Sequence, residues 1–180
     1  MRRFVVRVLW LLVLSLSVQM AAAAGSAAED DLATQAKFTT DVLHFITWPA
    51  EAFDSASAPI VIALLGDVPY ADELKRRAAL KKVKGRSLEI RSVERIDRTT
   101  PGHVVVMGST SRSDQRAVLE ALDGSAVVSI ALSKRFASLG GTLSMIMHRH
   151  RVMFEVNQKV AEQSNIKIGS RLLRLASVVY

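Results

Sequence analysis

The chain has 180 residues, 49% of them hydrophobic, no cysteine and a formal net charge of +7. That length provides one domain with a substantial core, and the absence of thiols excludes disulfides, cysteine nucleophiles and thiolate metal sites. Three of the surplus charges lie in the first 24 residues, so the remainder carries +4, a surface property too modest to argue for nucleic acid as a partner.

In chain order, Arg2, Arg3 and Arg7 form a basic start, Val8 to Leu16 are almost wholly apolar, and Ala21 to Ala24 are small. This is the order of a secretory signal peptide, expected over residues 1–24 with cleavage after Ala24. The competing reading is a retained anchor, since Phe4 to Ala24 is long enough to cross a bilayer of about 30 Å. The short apolar stretch and the small-residue end favour cleavage. No cysteine precedes the cut, which excludes a lipoprotein anchor, and the residues after Arg2-Arg3 fit the twin-arginine motif poorly. The expected domain is residues 31–180.

Asp31 to Thr47 reads as a helix. Phe38, Val42, Phe45 and Ile46 recur at helical spacing, Asp30 or Asp31 caps the start, and Trp48-Pro49 stops it. Trp48 is expected to pack against the helix end, with ligand stacking as the alternative. Pro59 to Leu65 is apolar throughout and closes at Gly66-Asp67, the pattern of a central parallel strand buried on both faces. Helix Tyr70–Ala79, strand Ser87–Val93, strand His103–Met107, helix Arg112–Leu122 and strand Ala126–Ile130 follow, then a short helix Ser133–Leu139. Val118, Leu119 and Leu122 are expected to face inward. This alternation implies an α/β fold: a single domain, a mostly parallel sheet and helices on both faces.

A hairpin is expected next, with Thr142–Met147 and Arg151–Asn157 as strands and His148-Arg149-His150 as its loop. Val152, Phe154 and Val156 alternate with polar partners. Asn157 is placed to cap the following helix, and Ser170 to cap a last helix whose inward face is Leu172, Leu173, Ala176 and Val179. Arg171 and Arg174 then share its outer side, with Lys167 just before them, a cation cluster suited to a carboxylate, a phosphate or an acidic partner surface. Glu155 or Glu162 is available to pair with it, which would leave the face merely solvated.

Other candidate chemistry is sparse. Asp67 lies where open α/β sheets place ligands, but it lacks the partner acids of a phosphoacceptor, and a turn explains it. His148 and His150 fall short of a zinc ligand set. Gly108-Ser109-Thr110-Ser111 lacks the spacing of a nucleotide loop, and no nucleophile elbow, P-loop, dinucleotide fingerprint or zincin motif occurs. Lys75 to Arg86 is the most basic stretch, either solvated or in contact with anionic lipid or an acidic partner. No cofactor and no metal is expected.

Phe154, Glu155 and Asn157, then Ile166-Lys167-Ile168, Ser170, Leu172, Leu173, Leu175 and Ala176 resemble the C-terminal signature of the YfiR-like family of small secreted bacterial proteins. Phe45, Trp48 and Pro49, and Gly66, Asp67, Pro69 and Tyr70, extend the resemblance over about Gln35 to Ala176, with Val42 replacing an aromatic. The resemblance implies a periplasmic regulator that is not an enzyme. Its expected partner is the periplasmic sensor region of an inner-membrane diguanylate cyclase or sensor kinase, which it holds inactive, and an outer-membrane lipoprotein would sequester it. It leaves room for a homodimer. Relatives commonly carry a cysteine where Gly102 precedes His103, so redox control does not transfer. On the residues alone, the alternative is a periplasmic small-molecule-binding protein that delivers a solute to a receptor or transporter, with its cleft near Gly66, Asp67 and Ser109.

Overall fold

Apolar residues at every position of the run 60–65 leave it no side to offer to water, so it needs a sheet covered on both faces. The computed structural model describes residues 27–97 and 102–180 and supplies that sheet; the expected signal peptide lies outside the described residues. In chain order the elements are helix α1 (27–42), strand β1 (Ile46–Thr47), β2 (Ile60–Leu65), α2 (Ala71–Leu80), β3 (Lys82–Val83), β4 (Arg86–Val93), β5 (Val104–Met107), α3 (Arg112–Leu122), β6 (Val128–Ala131), β7 (Leu143–His148), β8 (Arg151–Val156), α4 (Gln158–Gln163), β9 (Lys167–Ile168), α5 (Ser170–Leu173) and β10 (Val178–Val179).

Eight strands form one sheet in the order β10-β8-β7-β6-β5-β2-β4-β3, and β1 pairs only with β9. Strands β4, β2, β5, β6 and β7 run parallel. Strand β8 turns back on β7, β10 lies parallel outside it, and β3 pairs antiparallel with β4 at the far edge. Leu74 and Ala78 of α2 pack with Ile60, Ile62 and Leu64 on one face, while Val118 of α3 packs with Ala63 and Leu65 on the other. The expected single α/β domain, with helices on both faces and a C-terminal antiparallel hairpin, is what the chain forms.

Local chemistry explains several boundaries. The Ser111 hydroxyl accepts the Asp114 N–H at 3.1 Å and the Asp114 carboxylate accepts the Ser111 N–H at 3.2 Å, a capping box that starts α3 where the pattern predicts. Asn157 accepts the Val160 N–H at 3.1 Å and so starts α4, while its amide donates to the Ala137 carbonyl at 2.8 Å. The β7–β8 turn is Arg149-His150, with φ of 49° and 61°, so His148 belongs to the strand rather than to the loop. Beyond the short β6–β7 ladder, Ser129 and Thr142 hydroxyls accept each other's backbone N–H at 2.9 and 3.2 Å, doing the work of ladder carbonyls inside the core.

Three expected helices change. The first ends at residue 42, and a 3-10 turn, Leu43–Phe45, hands over to β1 because Ile46 and Thr47 find a strand partner in β9. Of the expected helix Ser133–Leu139 only the turn Ala137–Leu139 is helical. The last helix is a single turn. Ser170 is its first residue and does not cap it; Gly169 stands at the N-cap without a side-chain bond. Leu172 is buried and Leu173 and Ala176 are partly buried as expected, but Val179 is in β10 and 44% exposed. The open edge of β8 and the β-branched pair Val178-Val179 together outweigh one more helical turn.

Candidate functional site

Two of the segments that carry the family resemblance, 45–49 and 166–170, lie far apart in sequence and meet in the β1–β9 ribbon. Ile46 pairs with Ile168 and Thr47 with Lys167, and the Gly169 N–H donates to the Phe45 carbonyl at 2.7 Å. Lys84 closes the ribbon from the turn after β3, its ammonium donating to the Ile46 carbonyl at 2.7 Å and the Thr47 hydroxyl at 2.8 Å. Partial burial lowers the Lys84 pKa from its ordinary value. The chain enters β9 through Asn165 at φ 55°, a left-handed conformation that asparagine tolerates, with the Ile166 N–H returned to the Ala161 carbonyl at 2.8 Å. Thr47, Trp48 and Pro49 face Glu162, Asn165, Ile166 and Lys167 across a cleft of about 380 Å³.

Trp48 is buried, and its indole N–H donates to the His103 carbonyl at 3.1 Å at the amino end of β5. His103 is a functional position of a structural kind that sequence reasoning missed. Its Nδ1 accepts the Val61 N–H at 3.0 Å, which leaves the proton on Nε2, 2.8 Å from the Ala52 carbonyl. Phe53 stacks on the imidazole with centroids 4.3 Å apart. The Arg86 guanidinium sits 3.7 Å from the Phe53 ring centre and donates to the Ser55 and Ala58 carbonyls at 3.0 and 2.7 Å. Residues 48–58 are thereby tied to the sheet. Burial first, and the Arg86 charge after it, hold the His103 pKa below its ordinary value against the opposing bond to Ala52. The available sequence signal was a histidine directly before an apolar strand.

The predicted site residues divide between three places. Lys167, Arg171 and Arg174 are all exposed on β9 and α5, and neither arginine has an ion-pair partner among the described residues. Glu155 does not join them. It alternates with Phe154 and Val156, which pack in the same core cluster as Leu172, so its side chain belongs to the other face of the sheet; one carboxylate oxygen there is buried without a hydrogen-bond partner. Asp67 lies at the opposite end of the sheet, after β2. Gly66 takes φ 71°, and the next loop closes on Asp67 through its backbone: Gly108 N–H donates to Leu65 O at 3.0 Å and Ser109 N–H to Asp67 O at 3.3 Å. A Cβ on Gly108 would stand 1.8 Å from the Asp67 carbonyl oxygen. The junction where the strand order reverses is therefore held backbone to backbone. A cavity of about 340 Å³ beside it is lined by Leu65, Gly66, Glu94, Arg95 and Thr110, and does not include Asp67.

His150 is bound to the Asp31 carboxylate at 2.9 Å, which ties the hairpin to α1. Among the described residues no group of three or more His, Asp or Glu side chains is placed to hold a metal, and no helix is long and apolar enough to cross a membrane. Near Arg174 the surface turns apolar. Leu175 is 66% exposed, and Val178, Val179, Tyr180 and Met153 are also exposed along the outer edge of the sheet.

The described residues form a mixed α/β domain whose C-terminal face is exposed and both basic and apolar. The chain matches the YfiR/HmsC-like family over residues 33–177 and belongs to that family. At the level of the family, this supports a periplasmic regulatory role in cyclic di-GMP signalling, exercised through contact with a membrane partner rather than through catalysis. A comparison with curated proteins found no match. Among solved structures the chain is similar to an ABC domain in complex with L-Trp from Streptococcus pneumonia, with a TM-score of 0.49 and 13% identity over 67% of this chain and 55% of that one. It is also similar to a conserved domain protein from Vibrio cholerae O1 biovar eltor, with a TM-score of 0.47 and 13% identity over 67% of this chain and 54% of that one. The chain thus spans little more than half the length of either structure.

Proposed function

We propose that the protein is exported, acts in the periplasm and represses an inner-membrane diguanylate cyclase by binding its periplasmic sensor region. The observation that carries this reading is the family match over residues 33–177; two of the resemblance-bearing segments, 45–49 and 166–170, meet at the ribbon that carries Lys167. The proposed contact face combines those three cations with the exposed apolar edge at Leu175, Val178 and Val179. The cations select an acidic partner surface, and the apolar edge and unpaired strand supply area that gains from being covered.

Repression by such a protein is a population shift. It silences the cyclase only through tighter binding to the inactive sensor conformation, and moving the balance from 1:99 to 99:1 takes a preference of about 10⁴-fold. An outer-membrane lipoprotein that competes for the same face would relieve repression under envelope stress. The backbone closure at Gly108 counts against a solute carrier with its cleft at Asp67. The test is deletion. Cellular cyclic di-GMP and surface attachment are expected to rise, and unchanged nucleotide levels in a strain shown to have expressed the protein would move the assignment to a sensor kinase.

A further inference from the structure

Residues 71–86 carry seven Lys and Arg against Asp72 and Glu73, a surplus of five. The whole chain after Ala24 has a surplus of four, so everything outside this segment is on balance slightly acidic. All the net positive charge of the exported portion thus sits at one corner, formed by the end of α2, the edge strand β3 and the turn Lys84-Gly85. Part of it is committed to the fold: Lys84 and Arg86 bond to backbone carbonyls, and Arg77 lies 2.9 Å from Glu73. The outer members are not. Lys75 and Arg76 make only exposed pairs within their own helix, Lys81 is 3.5 Å from Asp41, and Lys82 is exposed with no partner among the described residues.

In the middle of these cations stands Leu80. It is 88% exposed, more than any other large hydrophobic among the described residues. Basic residues at a helix C-terminus suit the helix dipole, which accounts for Arg76 and Arg77. That account leaves out the leucine and the lysines after the helix ends.

The geometry points to the α2–β3 corner as a docking surface for an anionic phospholipid membrane, with Leu80 entering the acyl boundary and Arg76, Lys81 and Lys82 reaching the headgroup phosphates. A fluid lipid surface needs no complementary pocket, and none of the cavities above reaches this corner. An exposed leucine flanked by long flexible cations suits lipid better than a shaped protein socket, because the lysine stems bury their methylenes while the ammonium groups stay at the phosphates. The corner lies at the β3 edge, while the apolar part of the proposed partner face lies at the opposite, β10 edge; Lys167 of that face is on the ribbon that Lys84 closes, beside the corner. The lipid contact itself does not depend on what that partner is.

The experiment floats the purified protein, processed as the cell leaves it, with phosphatidylethanolamine vesicles that contain or lack phosphatidylglycerol. Binding is expected only with phosphatidylglycerol. It should fall severalfold in Leu80→Ser and about fivefold per lysine in Lys81→Gln/Lys82→Gln, with the thermal midpoints of both variants unchanged. Arg112→Gln/Arg116→Gln on α3 changes the net charge equally and should bind as wild type. No phosphatidylglycerol-dependent binding overturns the proposal. So does binding indifferent to Leu80 and the lysines, as adsorption through an uncleaved leader would give, or an equal loss in the α3 control. Loss of cyclic di-GMP repression in the corner variants with vesicle binding intact would assign the corner to an acidic protein instead, and the deletion phenotype tells that outcome from failure of the regulatory reading.

Discussion

At the carboxyl ends of β2 and β5, where the strand order reverses, the loops carrying Asp67 and Gly108 lie backbone against backbone, with a cavity of about 340 Å³ beside them at Gly66 and Thr110. At the amino ends, loop 48–58 is fastened by Trp48 and the half-buried His103 and β9 by its pairing with β1, yet outer side chains such as Lys167 and Arg171 face solvent. Topology alone would send a ligand to the first region. What the close packing teaches is that a switch point is only an opportunity: here the backbone junction at Gly108 leaves Asp67 outside the cavity beside it. The cations of the proposed partner face are at the second.

The sharpest way to break the closed end is Gly108→Ala. Its Cβ would fall within covalent range of the Asp67 carbonyl oxygen, and both neighbours are backbone, so one loop must move. A loss of about 3 kcal/mol in denaturant unfolding is expected. A loss below about 0.5 kcal/mol would mean that the two loops are not held together as described.

At the other end, His103→Ala removes the acceptor for Val61, the donor for Ala52 and the ring under Phe53. With two backbone groups left unpaired, about 2 kcal/mol is expected to be lost. The wild type adds a pH signature. Because the folded pKa of His103 is lowered, the unfolded chain binds the extra proton first, so this contribution is whole above the unfolded value of about 6.5 and is lost as pH falls toward the lowered folded value. Stability measured across that window should decline in wild type and decline less in His103→Ala. Equal slopes would remove His103 from the account.

These two ends were unequally legible in sequence. The run 60–65, the capping residue Asn157 and the hairpin were readable because each depends on neighbours within a few residues. The β1–β9 ribbon was not, since two-residue strands carry no periodicity and their partners are more than a hundred residues apart. The last helix failed for a related reason: Leu172, Leu173, Ala176 and Val179 do keep helical spacing, but the free edge of β8, invisible locally, takes Val178 and Val179. Glu155 was grouped with the cations by proximity in sequence, although strand alternation already places it opposite Phe154 and Val156. Arg171 and Arg174 were placed on an outer face and are exposed, for the simple reason that Leu172 between them has to be buried.

That pair gives the smallest structural effect and the most direct reading of function. Arg171→Gln/Arg174→Gln removes two exposed charges that hold no ion pair among the described residues, so unfolding free energy should change by no more than about 0.5 kcal/mol. If the C-terminal face is where the partner is held, cellular cyclic di-GMP should nevertheless rise toward the deletion level, because arginine meets carboxylates with two parallel donors and glutamine cannot replace that charge. Replacing both with lysine should recover only part of the repression, since charge returns without the forked geometry. Normal repression in the glutamine double variant, with the protein present at wild-type level, would show that these arginines are solvated surface and would move the contact to the apolar edge at Leu175 and Val178.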